Sequence, residues 1–295
     1  VSTFIGQQTT GDLQLVVDEE LDALIRTALL EDLRYGPDVT TLATVPADTV
    51  ADAKIVARQA GVIAGLPVVR AVFDQVIGAG NYVVTEQLDD GTRVEKGTVV
   101  LAVKAPATSL LTAERTALNL LCHMSGIATA TAAWVDAVDG TKARIRDSRK
   151  TLPGLRALQK YAVRAGGGVN HRMGLGDAAL IKDNHVVAAG GVAKALEAVR
   201  AAAPDIPVEV EVDSLEQLDE VLALSPQLVL LDNFEPWATQ IAVQRRDATS
   251  PDTLLESSGG LTLDVALDYA RTGVDYLAVG ALTHSVTVLD LGLDM

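Results

Sequence analysis

From Thr141 onward the sequence alternates short apolar runs with helical patterns, and this alternation limits the fold more than any other feature. The runs are ARIRD, AALIKD, PVEVEVD, LVLLDN, TLLESS and DYLAVG. Between them, apolar spacing predicts helices over roughly 153–164, 190–202, 214–224, 235–245 and 262–272. Parallel strands need a crossover, usually a helix, so this order builds a parallel α/β sheet. Each run ends in a polar or glycine cluster. These are Ser148-Arg149-Lys150, Lys182-Asp183-Asn184, Glu211 with Asp213, Asp232-Asn233, Glu256-Ser257-Ser258 and Gly280. Polar groups at the carboxyl ends of successive strands mark the catalytic face of a (β/α) barrel. An open doubly wound sheet would gather them at one switch point instead. A barrel is expected, incomplete or closed by a strand the sequence does not reveal.

The first half reads differently. Residues 1–11 are polar and are expected to be poorly ordered. Apolar spacing predicts an amphipathic helix over 18–33, ended by Tyr35-Gly36-Pro37-Asp38, and the following DVTT reads as a turn or helix cap. Ala53, Ile55 and Ala57 alternate as in a strand, and a helix is predicted over 67–77. Turn signals at Asp90-Gly91 and Gly97, flanked by alternating apolar residues, predict a small antiparallel sheet. Biotinyl and lipoyl carriers use similar hairpins, but neither Lys96 nor Lys104 has the hairpin-tip setting of their modified lysine. The longest helical pattern spans 109–138, and Ser125-Gly126 is expected to break it in two. The expected domains are 1–117, α+β, and 118–285, the barrel, with the tail 286–295 returning to the first.

Aromatic residues make up only 3% of the chain, so its core must be built from Ala, Val and Leu. A net charge of −15 argues against a nucleic-acid binder, whose surface would need a basic stripe. The single cysteine, Cys122, excludes a disulfide framework and reads as a buried, inert thiol. With no long apolar run and no signal-peptide pattern, a soluble, cytoplasmic protein without membrane contact is expected.

Against this acidic background, residues 144–184 are rich in cations. Arg156, Lys160 and Arg164 recur at helical spacing and read as a solvated helix face. Arg149, Lys150, His171, Arg172 and Lys182 instead fall at strand ends and in glycine-rich loops, where binding groups concentrate. Their convergence predicts a site for an anionic substrate. Glu209, Glu211 and Asp213 alternate with valines and share one strand face, and Asp232 ends the next strand in the same way. Such a row is costly in a barrel unless it meets cations, a metal or the wet mouth. Ser257-Ser258-Gly259-Gly260 and Gly280-Ala281 read either as ordinary turns or as phosphate cradles; their occurrence on consecutive late strands matches where barrels bind phosphate. Gly174–Ala179 loosely fits a dinucleotide fingerprint but precedes a strand, where the fingerprint must follow one. Four histidines without paired spacing do not suggest zinc, and His123 and His185 read as structural. Arg115 reads on its own as a surface residue or as an ion pair with Glu114.

The run DSRKTLPGLRALQKYAVRAGGGVNHRMGLGDAALIKDNH closely resembles the signature of the quinolinate phosphoribosyltransferases. LLTAERTALNLLCHMSGIAT, EVEVDSLEQL, LLDNF, LESSGG and GVDYLAVGALTHS extend the resemblance from about Glu31 to Met295. Ser148 stands where that pattern has Thr, and keeps its hydroxyl. The resemblance implies an irregular (β/α) barrel of fewer than eight strands plus an N-terminal α+β sandwich domain. It implies transfer of a phosphoribosyl group from phosphoribosyl pyrophosphate to quinolinate, with decarboxylation, giving nicotinate mononucleotide for NAD synthesis. Quinolinate would be held by Arg149, Lys150, His171 and Arg172, with Arg115 from the partner subunit of a homodimer with shared sites; a higher oligomer is left open. Phosphoribosyl pyrophosphate would meet Ser148, Lys182, Glu211, Asp232, Ser258, Gly259, Gly260, Gly280, Ala281 and His284. Lys150, Glu211 and Asp232 would be catalytic, the two acids stabilising positive charge at the ribose or binding Mg2+, partly through substrate and water.

Overall fold

The computed structural model describes residues 13–295, so the expectation for residues 1–11 lies outside the described residues. Two compact units are formed. One comprises residues 13–130, Pro153–Gly166 and Ser285–Met295; the other comprises Thr131–Leu152 and Gly167–His284. The sequence suggests a division at residue 117, but the first unit keeps residues up to Ala130 and takes in Pro153–Gly166.

In the first unit, α1 (Glu19–Asp32) starts where Asp18 Oδ1 accepts the N–H groups of Glu20 and Leu21. Asp38 caps α2 (Val39–Thr44) in the same way, through Thr41 N at 3.0 Å. Such caps satisfy amides that lack an intrahelical partner. Strand β1 (Val50–Ala57) buries Ala51, Ala53, Ile55 and Ala57, the period-two pattern of a half-buried strand. β2 (Gly61–Val62) pairs with β4 (Arg93–Val94), while β3 (Val83–Gln87) and β5 (Val99–Pro106) join β1. The tail strand Leu291–Asp294 completes an antiparallel sheet in the order tail, β1, β5, β3. Helix α3 (Leu66–Phe73) ends in a π turn over Asp74–Gly78. Buried Asp90 holds its start, accepting from Gly65 N, Leu66 N and the Tyr161 hydroxyl at 2.8, 3.1 and 2.7 Å. Burial pushes the Asp90 carboxyl above its ordinary range, and these three donors oppose that.

Two expectations fail here. Ser125-Gly126 does not break the long helix, and α4 (Ala107–Ala137) runs unbroken for 31 residues. The small pair is there for close approach. Ser125 Oγ accepts from Ala64 N at 3.0 Å, and a Cβ on Gly126 would stand 2.3 Å from the carbonyl oxygen of Thr287. Nor is α5 (Arg156–Ala165) solvated along its basic face: Lys160 is buried, as are its neighbours Leu158, Gln159 and Tyr161. Gln159 Nε2 pairs with His123 Nε2 at 2.9 Å, a structural role for that histidine.

The second unit is an irregular (β/α) barrel. Its strands are β6 (Arg144–Arg146), β7 (Ala179–Ile181), β8 (Val208–Val212), β9 (Leu228–Asp232), β10 (Leu254–Ser258) and β11 (Tyr276–Ala278). They form one parallel sheet in the order β6-β11-β10-β9-β8-β7. Val169 adds a single bridge to Arg146 beyond β6. The chain from there reaches the opposite edge through a side chain: Arg172 Nη1 donates to Ala178 O at 3.0 Å. All six strands match the sequence reading, as do α7 (Val192–Ala202), α8 (Leu215–Leu222), α9 (Pro236–Thr249) and α10 (Ala266–Arg271) within a few residues. The unforeseen α6 (Asp183–Ala189) buries none of its residues, so it carries no amphipathic signal. Its ends hold it instead, with Lys182 N donating to His185 Nδ1 at 3.0 Å and left-handed Gly190 following. A final turn, α11 (Ala281–His284), follows β11.

Along the strands the barrel interior changes from apolar to charged. Val169, Leu228, Leu254 and Tyr276 pack at the amino-terminal end. Next come Arg146, Glu209 and Glu256, all buried, and the strands then open into polar loops. Gly126→Ala should destabilise the protein by about 1–3 kcal/mol in urea unfolding, because backbone atoms of Thr287 and Val288 cannot rotate away from the new methyl group.

Candidate active site

A cavity of about 670 Å³ opens at the carboxyl ends of the barrel strands, wholly within the second unit. Each barrel residue singled out in the sequence as a ligand contributes to its wall. Ser148, Arg149 and Lys150 follow β6, His171 and Arg172 come from the long loop, and Lys182, Glu211 and Asp232 end β7, β8 and β9. Ser258 ends β10 and Gly259 and Gly260 follow it, and Gly280, Ala281 and His284 follow β11. Arg115 lies in the other unit on α4, exposed, with Nη2 4.0 Å from Glu114 Oε1.

Fully buried Asp147, directly after β6, fixes the loop that carries His171 and Arg172. It accepts from His171 N at 2.7 Å and from Asn170 Nδ2 at 2.5 Å. Asp177 clasps the far side of the loop, accepting from Met173 N and Gly174 N at 2.6 and 2.8 Å. These backbone bonds hold its carboxyl below the ordinary range, overcoming its partial burial. Arg172 is thereby pinned, only 8% exposed, with Nη1 spent on Ala178 O and Nε buried without a partner. Arg149 likewise keeps a buried Nε without a partner. Burial, then the neighbouring Arg149, pull the Arg172 guanidinium below its ordinary pKa. Two guanidinium groups held close together with donors unspent form a site primed for anions.

Beneath them lies a charged layer. Arg146 Nη1 meets Glu256 Oε2 at 2.5 Å with both side chains essentially inaccessible, and Arg146 lies over the Tyr276 ring, 4.8 Å from its centroid. Burial pushes the Glu209 carboxyl up to about 7, against the pull of Arg146 and Arg172. Burial and then Glu209 raise Glu256. His171, Glu209 and Glu256 lie close enough to enclose a metal ion, but Arg146 already neutralises Glu256 and His171 spends a ring nitrogen on Glu209.

At the mouth, Lys182 Nζ contacts the Glu211 carboxylate and Asn233 Nδ2 donates to Asp232 at 2.9 Å. Glu211 and Asp232 end adjacent strands as partly exposed oxygen donors, a set that suits a hard divalent cation retaining water and substrate ligands. Two glycines serve close approach. Gly259 has φ +99°, and a Cβ there would lie 2.1 Å from Asn233 Oδ1 and 2.9 Å from Asn233 N. At Gly280 a Cβ would meet Lys150 Cδ at 3.0 Å, so this glycine leaves room for the lysine stem.

Several lining residues escape a reading by strand ends: Leu180, Leu230 and Ala278, with Leu261 beyond β10. The missed signal is strand alternation. Each of the first three stands two residues before a mouth residue (Lys182, Asp232 and Gly280) and therefore shares its inward face. Arg146 and Glu209 precede Ser148 and Glu211 by the same rule.

Fold and site together define an α/β-barrel enzyme of small, polyanionic substrates. Residues 38–125 match the family model for the N-terminal domain of quinolinate phosphoribosyl transferase, and residues 127–294 match the model for its C-terminal domain. The chain belongs to the quinolinate phosphoribosyltransferase family, the decarboxylating pentosyltransferases. It is 66% identical over 284 residues to the nicotinate-nucleotide pyrophosphorylase [carboxylating] of Mycobacterium leprae, covering 95% of this chain and all of that one. It is 38% identical to the probable enzyme of the same name from Bacillus subtilis, over 94% of this chain and 93% of that one. The solved nicotinate-nucleotide pyrophosphorylase of Francisella tularensis superposes with a TM-score of 0.90 at 36% identity, covering 97% and 99% of the two chains.

Asp147→Ala should leave His171 N and Asn170 Nδ2 without their acceptor and cost about 1–3 kcal/mol per lost buried bond. Hydrogen exchange should accelerate first in residues 168–178. Unchanged exchange there would show that the loop is held by something else.

Proposed function

We propose that the barrel cavity performs the reaction for which the family is named, with quinolinate bound on Arg149 and Arg172 and phosphoribosyl pyrophosphate across the glycine loops. The observation that carries this reading is the convergence of Arg149, Lys150, Arg172 and Lys182 on one cavity that the glycine loops also line. With Nη1 of Arg172 taken by Ala178 O, Nη2 is the donor left for a carboxylate. Two such arginines suit a dicarboxylate, and Lys150 adds a mobile cation at the rim. The 5-phosphate would lie at Ser258-Gly259-Gly260 and Gly280-Ala281, with His284 alongside and Ser148 near the ribose. Unshielded backbone amides are suited to that group.

Quinolinate's ring nitrogen uses its lone pair to form a bond to the anomeric carbon, while the bond to pyrophosphate breaks and its electron pair leaves with pyrophosphate. The ribose carbon passes through an oxocarbenium-like state, which the carboxylates of Glu211 and Asp232 stabilise by their fixed negative charge. Lys150 and Lys182 neutralise the departing pyrophosphate. Magnesium, held by Glu211 and Asp232 through substrate and water, would offset phosphate charge when bound. The carboxylate beside the now quaternary nitrogen then leaves as CO2. Its bonding electrons remain on the ring carbon, stabilised by the adjacent positive charge, until a proton from water replaces it. The products are nicotinate mononucleotide, pyrophosphate and CO2, a step of de novo NAD synthesis.

Quinolinate should be turned over far better than nicotinate. Losing one carboxylate leaves a desolvated guanidinium unpaired, at roughly 2–5 kcal/mol, or about thirty-fold to several thousand-fold in kcat/KM. Equal turnover of the two acids would sink the assignment.

The proposed assembly is a cytoplasmic homodimer in which Arg115 of one subunit completes the partner's site; its exposure on α4 supports a role outside its own unit. Among the described residues no helix is long and apolar enough to cross a membrane. Arg115→Ala and Lys182→Ala should each be nearly inactive alone. Re-equilibrated mixtures should regain activity, because each heterodimer has one site with both lesions and one with neither. Heterodimers verified by mass spectrometry that gain no turnover would return Arg115 to the surface.

A further inference from the structure

His171 sits in the cavity wall among four cationic side chains, and by charge alone it looks like a fifth. Its surroundings contradict that. The backbone N–H of Arg172 points at His171 Nδ1 from 2.7 Å, so Nδ1 must offer a lone pair. A nitrogen that accepts an N–H carries no proton, and an imidazole with one bare nitrogen is neutral. The single ring proton then belongs to Nε2, and Nε2 faces Glu209 Oε2 at 2.8 Å. Both nitrogens are therefore spent inside the protein, and neither is left for a ligand.

The other groups facing the ring fit this state. Glu256 Oε1, from β10, is 3.8 Å from Nε2, too far for a hydrogen bond, and its carboxylate is neutralised by Arg146 of β6. Asp147 takes the His171 backbone amide rather than the ring. Glu209, from β8, is 4% exposed and meets the imidazole directly. The ring in turn holds the amide of Arg172, whose guanidinium donates through Nη1 to Ala178 O beside β7 while the residue lines the cavity.

We infer that Glu209 is a positioning residue for the substrate arginine: it fixes His171 as the neutral Nε2–H tautomer, and His171 through Nδ1 fixes the backbone of Arg172. His171 then presents a flat, uncharged wall to the aromatic substrate, and the cationic contacts come from Arg149, Lys150, Arg172 and Lys182. This deepens the quinolinate reading of the site, on which its kinetic consequences rest. The tautomer itself does not depend on that reading.

The test has two arms. In the first, protein labelled with ¹⁵N-histidine is studied by long-range ¹H–¹⁵N correlation, with the His171 signal identified by its loss in His171→Gln. The expected pattern is a bare Nδ1 and a protonated Nε2 near neutral pH, unchanged when quinolinate is added to saturation. A protonated Nδ1, in the free enzyme or on adding quinolinate, overturns the inference whatever the enzyme's substrate is. In the second arm, Glu209→Leu removes the acceptor and should raise the quinolinate KM about tenfold or more, while the KM for phosphoribosyl pyrophosphate moves less than about threefold. Glu209→Gln, which keeps an oxygen acceptor, should recover most of that loss. Equal damage in the two variants, or none in Glu209→Leu, rejects the positioning role. Should Glu209→Leu fail to fold, the wild-type spectrum and the Gln variant still decide. If the wild type turns over no quinolinate, the functional reading fails while the tautomer result stands.

Discussion

The ion pair between Arg146 and Glu256 is the constraint on which the barrel depends. Both side chains are fully enclosed, and the guanidinium rests on Tyr276. Forming such a pair gains little over a well-packed apolar core, since two charges must be desolvated, but removing either partner typically costs about 3–5 kcal/mol. The pair therefore acts as a condition on the interior. Once Arg146 occupies β6, a nearby acid must neutralise it, and Glu256 on β10, two strands along the sheet, supplies it while β11 supplies the ring between. Among the described residues, six laddered strands and a single bridge at Val169 leave the barrel without continuous backbone closure between β6 and β7. At that edge Arg172 supplies a side-chain link from the Val169 loop to Ala178 beside β7.

Unsatisfied polar atoms occur both in this layer and at the cavity wall. Arg146 pairs with Glu256 Oε2 and His171 with Glu209 Oε2, but the second oxygen of each acid has no hydrogen-bond partner among the described residues, and neither has Nε of Arg149 or Arg172. Buried polar groups in proteins normally find partners, and those that do not are costly. Arg149 and Arg172 line the cavity, where their remaining donors can meet an anion, whereas Arg146 does not reach it. Position along the barrel separates a group that holds the fold from one that serves the substrate, although Arg146 and Arg172 are both buried arginines.

The sequence reveals the strands, their polar ends and most cavity residues, because those follow from period-two alternation and from the habit of barrels to place chemistry at strand carboxyl ends. It does not reveal what depends on contacts between strands. Arg146 reads as one of many basic residues until Glu256 is found beside it two strands away, and nothing local announces a neutral His171. Lys160 was misread because a basic helical spacing is ordinarily a solvated face, whereas α5 is buried on most of its circumference. Gly126 was misread because a glycine that breaks a helix and one that admits a neighbouring backbone look identical in sequence. Helix α6 was missed because it buries nothing, and periodicity reports only burial.

Net charge illustrates why local geometry must outrank composition. At −15 the chain should repel a dicarboxylate and a pyrophosphate ester. At physiological ionic strength, however, exposed charges are largely screened beyond about 8 Å, whereas desolvated charges at contact distance are not. The acids that dominate the total are mostly exposed, while Arg149, Arg172 and the lysine ends stand at the wall of a concave, partly dehydrated cavity. Low-dielectric walls focus the field of those few cations into the mouth. An anion approaching from bulk water therefore meets a weak repulsion that salt removes and then a strong attraction that salt leaves largely intact. The global sign governs solubility, and the cavity governs binding.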